Sequence, residues 1–275
     1  MTVIAMTREM GTRGKDIAAG LAERLGIEVI HHEVVERHLA ERLSMTESAV
    51  HRFLEGEASL LERWNVDSRR LSRFTSEEIL ELALRGNVII RGWGAAQLLR
   101  GITHVICVRV CAPIADRVSE MKQRLGINDS EIVRREIERN DDAHARAVQR
   151  QFHVDWQDAT GYDVVLNTAH IPIDTGVALL QQLAKSGSYE ASDESRSMLM
   201  DSLIQARVRT MLDAALLDLP IGSTLGVKVR HGTVTIDGVV SSDKAFRSAL
   251  KQVEKIEGVN SVVDESISVP MSYGV

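Results

Sequence analysis

The chain is short of aromatic residues: Phe, Trp and Tyr make up 4% of its 275 positions. A core must therefore come from Leu, Ile, Val, Ala and Met, and a hydrophobic content of 44% is enough to build one. There is no excess of positive charge, since 33 Lys and Arg face 39 Asp and Glu, a formal net charge of −6. Broad nucleic-acid binding needs a basic face, so no nucleic-acid partner is expected, although a local basic pocket remains open. No apolar stretch reaches the about 18 residues that would suggest a membrane span. The apolar run after Met1 is too short for an export signal and lacks a basic flank, so a cytoplasmic location is expected. Cysteine is scarce too, with Cys107 and Cys111 in one expected strand. Their spacing spans roughly 13 Å of strand, beyond disulfide reach, so both are expected as reduced thiols.

What is present concentrates at the start. Val3, Ile4, Ala5 and Met6 form a short apolar run that reads as a buried strand. A polar turn with Gly11 and Gly14 follows. Lys15 then opens a segment with Ile17, Ala18, Leu21, Ala22 and Leu25 at helical spacing, and Gly26 stands where a helix-ending glycine belongs. Strand, glycine turn, lysine and helix is the order of a phosphate-binding loop. Glycines let backbone N–H groups face an anion, the helix N-terminus adds about half a positive charge, and the lysine adds a whole one. The general pattern asks for glycine where Glu9 stands and a hydroxyl where Asp16 stands. Asp16 either binds a metal ion through its carboxylate or repels phosphate. The alternative is a plain glycine turn joining a strand to a helix.

Further strands are expected at residues 27–30, 87–91, 104–110 and 163–167, with helices between them. Ser44 with Glu47, and Thr75 with Glu78, fit capping boxes, and Asn128 with Glu131 would start a long charged helix. His32-Glu33 begins a zinc-protease pattern, but Glu36 occupies the place of its second histidine. Residues 55–74, with Trp64, Arg69, Arg70 and Arg73, read as a solvated helix-loop or as an element covering substrate. Strands alternating with helices imply an α/β fold, a parallel sheet with helices on both faces. Ligands in such sheets sit beyond the carboxyl ends of the strands, which here gathers residues 9–15, His31, residues 91–94 and Cys111. Residues 185–196 are small, polar and acidic, as in a linker. After them comes an α-β-β-α-β pattern, with a tight turn at His231-Gly232. That tail holds no cysteine, paired histidines or obvious nucleophile, and is expected to be a binding or assembly module.

Several segments together resemble the cytidylate kinase-like family of P-loop proteins. Thr7-Arg8-Glu9-Met10-Gly11-Thr12-Arg13-Gly14-Lys15-Asp16 is similar to that family's opening loop, where an acidic residue after the basic one is usual. Gly92-Trp93-Gly94-Ala95 resembles its second glycine turn, Ala112-Pro113 with Arg117-Val118 its next helix, and Asp155-Trp156 with Tyr162-Asp163 its last strand. The resemblance covers residues 1–184, and residues 197–270 resemble a small α+β BON domain.

The resemblance implies phosphoryl transfer from ATP to a nucleoside monophosphate of the CMP or dCMP type. On that basis Arg8, Gly11, Thr12, Arg13, Gly14, Lys15 and Asp16 would bind ATP, Lys15 would hold the transferring phosphate, and Mg2+ would bridge ATP oxygens with water or Asp16. Arg124, Arg134, Arg135 and Arg139 are the lid candidates, although the arginines of residues 117–150 interleave with acids as on any salt-bridged helix. Arg91, Trp93 and His31 would face the acceptor. The family's acceptor turn reads Asp-Gly-Arg-Asp, whereas this chain has Arg91-Gly92-Trp93-Gly94, so cytosine specificity does not follow. The alternatives are a weakly catalytic nucleotide sensor and a kinase for another small acceptor. A BON domain implies a phospholipid or protein partner, and a homo-oligomer stays open.

Overall fold

Val3–Arg8 forms strand β1, and five of its six residues are buried, as befits a strand covered on both faces. The computed structural model describes residues 1–30, 32–54, 68–92, 94–216, 224–240 and 243–268. β1 is the middle of a five-stranded sheet ordered β2-β3-β1-β4-β5, with β2 at Glu28–Ile30, β3 at Val88–Arg91, β4 at Val105–Cys111 and β5 at Val164–Asn167. Each neighbouring pair is parallel. The helices in order are α1 (Gly14–Leu25), α2 (His32–Leu43), α3 (Glu47–Leu54), α4 (Ser68–Arg85), α5 (Ala95–Leu99), α6 (Ile114–Leu125), α7 (Ser130–Phe152) and α8 (Ile173–Ala184). The expected α/β class and element order hold.

The register puts Ile4 and Met6 of β1 on one face with Ile106, Val108 and Val110 of β4. There they pack against Ile17, Ala18 and Leu21 of α1 and Val177 and Leu180 of α8. The opposite face carries Cys107 and Arg109, and the Cys107 thiol donates to the Ala96 carbonyl at 3.4 Å. Both cysteines are free, and burial raises the Cys107 pKa to about 12, so it is an inert core thiol. Helices α6 and α7 pair through a small core of Val118, Met121, Val133 and Ile137, against which Met10 also packs.

Three expected helix starts shift. Thr75 lies inside the continuous helix α4, where its hydroxyl donates to the Leu71 carbonyl four residues back at 2.8 Å. Ser44 has a left-handed backbone, φ 54°, and the Thr46 hydroxyl receives the Ala49 N–H instead. Asp129, not Asn128, caps α7, accepting from the N–H groups of Glu131 and Ile132.

Contacts divide the chain into two units. Ser76–Leu84 groups with Asp193–Val275, and Met1–Thr75 groups with Arg85–Ser192. In the smaller unit, α9 (Asp193–Leu216) and α10 (Asp243–Val253) cover a sheet ordered β6-β7-β8, at Thr224–Arg230, Thr233–Val240 and Ser261–Ser268. β6 is antiparallel to β7, and β8 runs parallel to it. Ile204, Val208, Val227, Val234, Ile236, Phe246 and Val253 form its core. The turn at His231-Gly232 has positive φ at both residues, the form that matches strand twist, and the Asp201 carboxylate accepts both their N–H groups. Within this unit the buried Glu77 carboxylate accepts the Thr210 hydroxyl, and Arg207 pairs with Glu81 at 2.9 Å. Thr210→Val should lower the melting stability by about 1–2 kcal/mol by removing a hydrogen bond to a buried charged group, and Thr210→Ser should restore it.

Candidate active site

The turn between β1 and α1 lies at the carboxyl end of the central strand. The Glu9 N–H donates to the Val110 carbonyl at 3.0 Å, extending the β1–β4 pairing one residue past β1. The chain then folds back on itself, with the Thr12 hydroxyl and N–H both donating to the Glu9 carbonyl, at 2.8 and 3.4 Å. Gly11 has φ +82°, and a side chain there would meet the Arg117 carbonyl at 2.8 Å. The Thr12 carbonyl accepts the Thr168 hydroxyl at 2.8 Å, so the loop is fastened on the β5 side as well. Arg13 adopts a left-handed backbone and α1 begins at Gly14, beside which the Arg8 side chain lies. Lys15 and Asp16 of the first helical turn are exposed. The turn thus brings a helix N-terminus, two glycines and a solvent-facing lysine to one point, as the sequence spacing implies.

Under the loop lies a buried charge network that sequence spacing did not single out. Glu9, which stands in the place of a loop glycine, receives Arg109 Nη2 at 2.5 Å and the Ala112 N–H at 3.2 Å. Arg117 Nε lies 3.7 Å from the same carboxylate, and its Nη1 donates to the Met10 carbonyl at 3.3 Å. Arg117 also makes a two-pronged pair with Asp141 of α7, at 3.1 and 2.6 Å. Arg109 donates to the Gln157 carbonyl and lies over the ring of Trp156, which is 1% exposed. Two arginines thus balance two carboxylates, which makes the charges tolerable at this depth.

His144 of α7 sets its ring edge against Trp156, with centroids 4.5 Å apart. Burial pushes its pKa down from 6.5 to about 4, Arg8 adds to the lowering, and Asp141 opposes it. The folded protein therefore holds the ring neutral, while the unfolded chain binds a proton below the usual histidine range. Its contribution to stability is complete above about pH 6.5 and is lost as the pH falls toward 4. Between those values the parent should lose on the order of 2 kcal/mol more than His144→Gln, read from denaturant unfolding at each pH.

Residues 3–170 match the family model described as the cytidylate kinase-like family, and residues 200–270 match that of the BON domain. The chain belongs to the cytidylate kinase-like family. It is thereby a kinase-type phosphotransferase. A protein named cytidylate kinase from Pyrobaculum aerophilum is 25% identical over 179 residues, covering 65% of this chain and 90% of that one. Another of that name from Thermococcus kodakarensis is 24% identical over 168 residues, 61% of this chain and 80% of that one. An uncharacterized protein from Eubacterium ventriosum has a similar fold, with a TM-score of 0.54 at 17% identity over 66% of this chain and 97% of that one.

Among the residues expected to serve a cytidylate kinase-like reaction, Arg8 and residues 11–16 lie on this one turn. Arg91 ends β3, the strand beside β1, and is buried, and the second glycine turn starts where the Gly92 N–H donates to the Met6 carbonyl at 3.0 Å. Gly94 has φ +70°, and a side chain there would strike Phe152 at the end of α7. Trp93 and His31 lie outside the described residues, as does Trp64. Three of the four lid candidates are engaged on their own helix. Arg139 pairs with Glu136 at 3.0 Å, Arg135 Nε donates to the Glu131 carbonyl, Arg134 lies 3.9 Å from Glu131, and Arg124 is exposed in the last turn of α6. Among the arginines of residues 117–150, Arg117 bonds to the loop, at the Met10 carbonyl.

A nucleotide triphosphate fits the loop's chemistry, since its glycines, helix N-terminus and Lys15 all favour an anion. For a metal ion the fit is narrower. No group of three His, Cys, Asp or Glu side chains able to hold one occurs among the described residues. Asp16 Oδ2 is taken by Arg13 Nε at 2.9 Å. Any Mg2+ would therefore rely on phosphate oxygens and water, with Asp16 as the protein carboxylate at hand. No described helix is long and apolar enough to cross a membrane.

Proposed function

We propose that the protein transfers a phosphoryl group from ATP to a nucleoside monophosphate of the CMP or dCMP type. The observation that carries this reading is the loop of residues 9–15, which opens α1 with an exposed Lys15 at the carboxyl end of β1. Phosphoryl transfer asks a protein mainly to position two phosphates and neutralise charge. The loop backbone with Arg8, Thr12, Arg13 and Gly14 would cradle the ATP phosphates, and Lys15 would hold the transferring one. Mg2+ arriving with ATP supplies neutralisation of the phosphate oxygens, with Asp16 nearby. Arg91, Trp93 and His31 would bind the acceptor in this reading. Arg124, Arg135 and Arg139 would swing in with α6 and α7 when a lid closes and excludes water. The kinase region in this reading is residues 1–184 and residues 197–270 form a regulatory BON domain for a phospholipid or protein partner in the cytoplasm; the linker expected at 185–196 is shorter, because Asp193 already opens α9, and Ser76–Leu84 group with the second unit.

A second reading is a nucleotide sensor with little turnover, signalling through the BON domain. It draws on the acceptor turn Arg91-Gly92-Trp93-Gly94 and on the engagement of three lid candidates with their own helix. ADP formation from MgATP with CMP, dCMP, UMP, AMP and GMP in turn separates the two. Turnover with one pyrimidine monophosphate establishes the kinase. Silence across the panel, with MgATP still raising the melting temperature, establishes the sensor or another acceptor.

A further inference from the structure

Arg117 carries a charged link from the loop to α7. Arg117 touches the Met10 carbonyl and the Glu9 carboxylate on one side and Asp141 on the other. It is 6% exposed, so these charge-assisted bonds lie out of competition with water. Around it the packing is equally close. Met10 joins the core shared by α6 and α7, and Gly11 lies against the Arg117 backbone with no room for a side chain. Asp141 sits on the same helix as Arg134, Arg135 and Arg139.

We propose that Asp141 is a positioning residue of the phosphate loop. It acts through Arg117, so that α7 and the loop hold or lose their geometry together. A phosphate loop without its first glycine is thus shaped by an ion-pair chain reaching a helix about 130 residues away in sequence. The link to catalysis rests on the kinase reading above, whereas the coupling itself does not.

The test is amide hydrogen exchange of the full chain without nucleotide, read over residues 8–16, where the Glu9 and Thr12 N–H groups are hydrogen-bonded. Asp141→Asn should quicken exchange there about tenfold, because Arg117 loses a charged partner. Asp141→Glu should restore most of the protection. Val148→Ala, which removes buried side-chain volume on α7 away from the α6–α7 core, should lower the melting temperature without quickening the loop. Faster exchange confined to α7 in Asp141→Asn, or loop exchange quickened as much in Val148→Ala as in Asp141→Asn, would overturn the coupling. MgATP affinity is measured on the same proteins. A parent that binds no MgATP sinks the kinase reading, and the exchange data alone then decide the coupling.

Discussion

Lys15→Ala should leave the protein folded and reduce phosphoryl transfer by about 10²–10³-fold, the usual effect of deleting one preorganised charge from a transition state. The two halves of that expectation have separate causes. Lys15 is exposed in the first turn of α1 and supports none of the core formed by Ile17, Ala18 and Leu21, so its truncation removes no packing. Its charge instead adds to the helix N-terminus and the loop N–H groups, and a polyanion is where that sum matters. The turnover assay and a melting curve on the same preparation check both halves. A variant that unfolds would place Lys15 in the structure, and a variant with parental turnover would remove it from the site.

Arg109→Met should be the most damaging single change to the fold outside the apolar core. It strips Glu9 of its nearest counter-charge while that carboxylate is 7% exposed, a situation that costs about 3–5 kcal/mol. It also removes the guanidinium over Trp156 and the bond to the Gln157 carbonyl. Arg109→Met combined with Glu9→Gln should recover much of the loss, since the amide needs no counter-charge and still accepts from the Ala112 N–H. Denaturant unfolding of parent, both single variants and the double variant closes this cycle. Arg109→Met costing less than about 1 kcal/mol would show the network to be incidental.

These two residues mark where sequence reasoning reached and where it stopped. Lys15 could be read directly, because strand, glycine turn and helix are local patterns that fix where a lysine at the junction goes. The parallel sheet was legible for the same reason, as was the His231-Gly232 turn. Arg109 was not singled out. It sits in the apolar run of β4, and its role depends on Glu9, 100 positions earlier, lying just past the end of the adjacent strand. Glu9 stood out only as a departure from the loop pattern, and the carboxylate's partners were needed to give it a meaning. Among the arginines of residues 117–150, alternation with acids could not separate Arg117 from Arg134, Arg135 and Arg139. Burial does so, with the Arg117 side chain 7% exposed and that of Arg139 63% exposed. Thr75 misled in the other direction, since a hydroxyl that could cap a helix start can equally bond back inside one.

The loop of residues 9–15, read as a seat for the phosphates of ATP, should bind the nucleotide through them. The most direct measurement is calorimetric titration of MgATP into the parent protein, repeated with inorganic phosphate and adenosine as competitors. Saturable one-site binding is expected, weakened at least about tenfold by Lys15→Ala, a change of ~1.4 kcal/mol. Binding that survives Lys15→Ala unchanged, or that adenosine alone reproduces in full, would place the nucleotide's phosphates away from this loop.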